Sequence, residues 1–282
     1  MSIYHTKAIP HFNRITLNVN DLDKQTSFYM NKIGLSVIEK SDHHVDLGVD
    51  NNILVSLIKT EATSFNTGLY HFALLLPKRK DLAQILMHLL KHHVLLQGAS
   101  DHGISEALYL ADIEGNGIEI AVDRDPSLWP YNQGKLDVFA NNGPLDMDNL
   151  LSLADPNEPF ERLPSNTVMG HIHLHVHDIE ASRKFYQDIL MMNITIALKG
   201  SALFLSHAGY HHHLATNMWR HHDLNKQSFD HRGLNTLHYH VPNQETLEGL
   251  SLRLKQHGYP FDMTSNLIRL HDPANNIIEI SA

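Results

Sequence analysis

The residues best equipped for chemistry in this sequence are its 24 histidines, set among Asp and Glu with no cysteine anywhere. Neutral imidazole binds divalent first-row metals and moves protons near neutral pH, and carboxylate completes such sites as a hard anionic donor. The absence of cysteine removes disulfides and thiolate ligands from consideration. Number alone says little, because many histidines are surface residues. His92-His93 and His221-His222 are expected to be of that kind, at a helix end and in a loop. Position says more. His171, His173 and His175 alternate along one strand-like run and so share a face. The run His211-His212-His213 leads into Leu214-Ala215, and Glu119 stands between Ile118 and Ile120. Taken alone, that last pattern fits a solvent-facing strand residue.

Composition sets the frame for these residues. The chain has 282 residues, 42% apolar and 19% charged, which is globular and long enough for two domains of ordinary size. A formal charge of −9 argues against non-specific nucleic-acid binding, which needs Lys and Arg to neutralise phosphates. The longest apolar runs, such as Leu74-Leu75-Leu76, fall far short of the roughly 20 residues of a membrane span. No secretory signal is visible in Met1-Ser2-Ile3-Tyr4-His5, so a cytoplasmic location is expected.

The elements that carry the histidines repeat. Asn20-Asp21-Leu22 and Phe28-Tyr29 recur as His177-Asp178-Ile179 and Phe185-Tyr186, at an offset of 157 residues. Each copy follows an alternating run, Ile15–Val19 or Ile172–Val176. A second pair, Gly68-Leu69, Pro77 and Leu82, matches Gly233-Leu234, Pro242 and Leu247 at an offset of 165. The ends match at 160, where Ile118-Glu119-Ile120 answers Ile278-Glu279-Ile280. Within the second unit a strand is predicted near Tyr70–Pro77. A helix follows with Leu82, Ile85, Leu86, Leu89 and Leu90 on one face, then strands near Ala107–Ala111 and Ile118–Val122. Gly115-Asn116-Gly117 reads as a hairpin turn and not a phosphate loop, since no helix follows it. Four such units are expected at 10–61, 68–124, 168–219 and 233–282. The proline-rich connection 125–167 holds one short helix around Met147–Leu153. The Phe28-Tyr29 and Phe185-Tyr186 pairs are expected to be core contacts of the first helices.

This organisation resembles the vicinal oxygen chelate superfamily, which includes glyoxalase I, the fosfomycin and bleomycin resistance proteins and type I extradiol dioxygenases. The resemblance covers nearly the whole chain outside 125–167. It implies an α+β fold of four βαβββ modules forming two domains, 10–124 and 168–282, whose curved mixed sheets enclose a metal cavity. It also implies the ligand slots. A first-strand slot lies seven residues before Asp21 or Asp178, giving Arg14 and His171. The even units offer His71 and Thr236, and the last strands offer Glu119 and Glu279. Only modules two and three, paired, fill three slots with ligands: His71, Glu119 and His171. Modules three and four are the rival pairing, with His171, Glu279 and, displaced by two residues, His238.

Among relatives the chain looks most like two-domain bacterial catechol 2,3-dioxygenase-like proteins. His212-His213-Leu214-Ala215 resembles their His-x-Leu/Val-Ala pattern and gives His212 a catalytic role. Tyr109 stands ten residues before Glu119, as their tyrosine does, whereas Arg269 occupies that place before Glu279. His102 answers a further histidine, two residues off the usual spacing. Asn217 and Trp219 are candidates for the pocket mouth, with packing the alternative for Trp219. The resemblance therefore implies an extradiol dioxygenase using Fe(II), with Mn(II) or Zn(II) as alternatives, on a small aromatic diol and O2. Neither nucleic acid nor membrane is an expected partner, and a homo-oligomer is left open. Two other readings stand beside it: a glyoxalase-type isomerase or lyase, and a resistance protein that binds a small molecule without turnover.

Overall fold

The computed structural model describes residues 2–66, 68–138, 140–220 and 231–282, so His221-His222 lies outside the described residues. Strand β1 (His11–Val19) leads into α1 (Leu22–Phe28), followed by β2 (Ser36–Lys40), β3 (His44–Val49) and β4 (Asn52–Lys59). A two-residue β5 (Phe65–Asn66) precedes the next turn of the pattern. It runs β6 (Leu69–Leu76), α2 (Arg79–Lys91), β7 (Gly98–Asp101), β8 (Ser105–Ala111) and β9 (Gly117–Asp123). The connection carries β10 (Tyr131–Asn132), β11 (Lys135–Leu136), β12 (Gly143–Pro144) and α3 (Met147–Leu151). Then come β13 (Val168–His175), α4 (Ile179–Lys184), β14 (Asn193–Leu198), β15 (Ala202–Ser206) and β16 (Leu214–Asn217). The last repeat is β17 (Arg232–His240), α5 (Gln244–Gln256), β18 (Phe261–Met263), β19 (Leu267–His271) and β20 (Ile277–Ser281).

The fold is α+β; among the described residues its strands form two nine-stranded mixed sheets and a small β10–β11 ribbon. One runs β18-β19-β20-β17-β1-β4-β3-β2, with β5 beside β17; the other runs β12-β7-β8-β9-β6-β13-β16-β15-β14. Within each repeat after the first, the opening and closing strands pair in parallel: β6 with β9, β13 with β16, β17 with β20.

By compactness the chain falls into two units. One holds Asp21–Lys59 and His71–Gly170, the other Ile3–Asn20, Thr60–Tyr70 and His171–Ala282. In the first, Asp21 caps α1 by accepting from the Lys24 amide at 3.0 Å, which explains the Asp of the repeated signature. A five-residue π-helical turn, Tyr29–Ile33, then swings the Tyr29 ring into the core. Its hydroxyl donates to Asp112 at 2.9 Å, and the same carboxylate accepts from the side chain and amide of Asn116. On α2, Leu82, Ile85, Leu86 and Leu89 are buried, but Leu90 is 44% exposed, a correction to the predicted face. Ala83, seven residues earlier and so on nearly the same side of the helix, is fully buried, so Leu90 is exposed because of its place in the last turn and not because of its face.

The second unit repeats the device. Asp178 caps α4 through the Ala181 amide at 2.9 Å, and a π-helical turn, Phe185–Ile189, follows. Tyr186 is fully buried and donates to Asp272 at 2.6 Å, with Asn276 completing the knot. Burial raises the pKa of both carboxyls, against the pull of these hydrogen bonds. Removing a phenol strands a buried acceptor, so Tyr29→Phe and Tyr186→Phe should each cost about 1–3 kcal/mol of stability. Urea unfolding at pH 7 checks this, and unchanged midpoints would reduce the knots to bystanders.

Candidate metal centre

His71 lies near the start of β6 and Glu119 in the middle of β9. The parallel register sets Ala73 opposite Glu119, so His71, two residues earlier, points to the same face. The imidazole Nε2 lies 3.0 Å from a Glu119 carboxylate oxygen. Both side chains are buried, Glu119 to 3% exposure, so the solvent-facing reading of this residue does not hold. A carboxylate so withdrawn from water needs a compensating charge or several donors. His171, on β13, is also buried, and β13 neighbours β6 in the sheet. One potential ligand atom from each of His71, Glu119 and His171 lies within 4.8 Å of the other two. Among the described residues no other set of three His, Asp or Glu side chains is so arranged. Two neutral imidazoles and one carboxylate are the donor set of a divalent metal with open positions, so the residues fit the ion that the resemblance implies.

Tyr109 stands opposite Glu119 across the antiparallel β8–β9 pair, and its ring centroid is 5.6 Å from that of His71. Its hydroxyl shares a 2.8 Å hydrogen bond with His102 Nε2, while His102 Nδ1 meets the Asn142 side chain at 3.1 Å. The off-register histidine and the tyrosine thus form one pair. Asn142 was not foreseen; it comes from the long connection, where nothing in the sequence marks it.

The ring of His212 lies 4.1 Å from that of His171, centroid to centroid. His212 Nδ1 is hydrogen-bonded to His211 Nδ1 at 2.8 Å, and Phe204 packs edge-on at 5.2 Å. Neither His211 nor Phe204 was singled out from sequence. Phe204 comes from β15, which pairs with β16 and sets it opposite Ala215. Further along the same face of β13, Asn217 bridges His173 Nε2 and His175 Nδ1 at 2.8 and 2.7 Å. Trp219, half exposed, packs against His173 and Tyr70. His92 and His93 are exposed.

The rival residues lie in the other sheet. His238 contacts Arg14 and Thr16 at 3.0 and 2.8 Å and lies 3.4 Å from Glu279, which Arg269 holds at 2.6 Å. Burial, with Arg14 and Arg269 nearby, lowers the His238 pKa to about 3.

Comparison with known proteins identifies the family. Residues 11–120 and 168–280 match the family described as Glyoxalase/Bleomycin resistance protein/Dioxygenase superfamily. A protein of Bacillus subtilis (strain 168) named catechol-2,3-dioxygenase is 36% identical over 272 residues, covering 94% of each chain. Among solved structures, a putative dioxygenase from Bacillus subtilis subsp. subtilis str. 168 superposes with a TM-score of 0.66 at 13% identity. It covers 98% of this chain and 86% of that one. Glyoxalase I from Zea mays gives 0.60 at 15% identity, over 96% and 92%. At such identities the two structures speak for the fold alone. The chain belongs to the glyoxalase/bleomycin resistance protein/dioxygenase superfamily.

Proposed function

We propose that the protein is an Fe(II)-dependent extradiol dioxygenase that cleaves a catechol-like diol with O2, its ligands drawn from modules two and three. The observation that carries this reading is the grouping of His71, Glu119 and His171 within 4.8 Å. The ring of His212 against His171, the His102–Tyr109 pair and the 36%-identical relative named catechol-2,3-dioxygenase support it. When bound, the ion supplies open positions for diol and O2 and the Lewis acidity that favours the ionised diol.

The chain's own groups do the rest. His71, His171 and Glu119 would hold the ion and so fix where both reactants meet. His212 takes the proton that the diol loses and later returns one to the developing product oxygen. With Nδ1 engaged by His211, that exchange falls to Nε2. The Tyr109 hydroxyl, steadied by His102, hydrogen-bonds a substrate oxygen. Phe204, packed on His212, limits the space its ring can move in.

The test is anaerobic reconstitution with Fe(II), then addition of catechol and O2. Equal consumption of both with a yellow ring-opened product is expected, and His212→Gln should lower kcat by about 10²–10⁴-fold while iron stays bound. Turnover of a thiohemiacetal without O2 would replace this reading with an isomerase. Tight binding of the diol without consumption would replace it with a binding protein.

A further inference from the structure

The sheet of the first and fourth repeats holds a second arrangement at the places equivalent to the metal ligands. Arg14 on β1, His238 on β17, Glu279 on β20 and Arg269 on β19 are direct cross-strand neighbours, so all four share one face. Arg14 occupies the slot that His171 fills in its own repeat, Glu279 answers Glu119, and Arg269 answers Tyr109. Contacts run along the row: Arg14 to His238 at 3.0 Å, His238 to Glu279 at 3.4 Å, Glu279 to Arg269 at 2.6 Å.

The protonation pattern follows from the bonds. Arg14 can only donate, so His238 Nδ1 accepts, and the proton sits on Nε2, which donates to the Thr16 hydroxyl at 2.8 Å. Held neutral by burial and the two arginines, His238 contributes no charge near pH 7. Glu279 balances Arg269. Arg14 is left partly buried, and among the described residues its one hydrogen-bond partner is a neutral ring. A guanidinium partly shielded from water and paired only with a neutral ring gains from an added anion. Counting the four side chains of the row alone, two guanidinium groups face one carboxylate, an excess of one positive charge.

We propose that this row is a binding site for a small monocarboxylate, whose planar, singly charged head matches the guanidinium fork of Arg14 and the residual charge of the row. A covalently held cation here stands where the other sheet offers metal ligands, so the pseudo-equivalent site takes an anion. The inference does not depend on the oxygenase reading.

Calorimetric titration of the metal-loaded full chain with benzoate at low salt tests it. Wild-type protein should bind benzoate, and Arg14→Met should weaken binding at least tenfold. Glu279→Gln should strengthen it several-fold, because the row then carries two positive charges. Arg269→Met, expected to weaken binding, serves if Arg14→Met does not fold. Benzoate lodged at the metal would respond to none of these substitutions. Such indifference, an absence of binding, or a preference for inorganic phosphate over benzoate would each overturn the assignment. Catechol turnover on the same samples reports on the other site and should match wild type in Arg14→Met.

Discussion

Replacing His71 with Ala should leave the protein folded, strip it of metal and abolish ring cleavage, while Glu279→Ala retains both. Loss of a residue that merely orients a ligand weakens metal binding roughly 10–100-fold, so loss of a ligand itself should exceed that. Glu279 lies instead against Arg269 and His238. Metal content after dialysis against a weak chelator is the direct readout, with circular dichroism to confirm folding. The reverse pattern, metal lost with Glu279 and kept without His71, would move the centre to His171, His238 and Glu279. An intermediate result for both would mean that neither triad is the site.

The second large effect concerns acid. In the second unit His5, His11, His207 and His213 gather with Tyr210 and Tyr239. His5 lies 5.5 Å from His11 and 5.0 Å from His213, ring to ring. Every imidazole nitrogen of His213 is engaged: Nδ1 accepts from the His207 amide at 3.2 Å, and Nε2 donates to the Tyr4 carbonyl at 3.1 Å. His207 Nε2 meets the Tyr239 hydroxyl at 2.7 Å, and His11 Nδ1 donates to the Ile9 carbonyl. Burial lowers the pKa of His11 and His207 from 6.5 to about 4, and burial likewise holds His213 well below 6.5.

The unfolded chain takes up protons at these positions near pH 6.5, while the folded chain resists until about 4. Stability is thus complete above pH 6.5 and falls across that window. His11 alone accounts for roughly 3 kcal/mol at 1.36 kcal/mol per pH unit. Asp112 and Asp272, with raised pKa values, pull the other way, since the folded state then holds their protons more tightly. A melting temperature that drops steeply between pH 7 and 4.5, and less steeply in His11→Gln, is expected. Equal melting temperatures at both ends would show that the cluster does not resist protonation.

Much of the fold was legible because its period is strong. The capping Asp21 and Asp178, the stripe Leu82–Leu89 and the alternation around Ile118–Ile120 each follow from a local rule, and the structure has elements at all of them. What escaped notice lacks such rules. Strand β7 is short, at Gly98–Asp101, with no buried alternating face, and it is held by cross-strand bonds to β8. The π-helical turns depend on where Tyr29 and Tyr186 must reach, a tertiary matter. At equivalent places after them stand Gly34, with a φ of 89°, and Met191, with a φ of 58°. Only the glycine advertises a left-handed residue. For the candidate site, residue types and offsets pointed to His71, Glu119, His171, Tyr109 and His212 as members. The partners that steady them, Asn142, His211 and Phe204, come from a connection, a histidine run and a neighbouring strand. Their closeness is a product of folding.

The tyrosine knots fasten the modules in sequential pairs. In each, the phenol belongs to an odd-numbered module and the carboxylate with its asparagine to the even-numbered module after it. The two modules of a pair thus share one buried polar network, so cutting a single phenol should loosen both of them together.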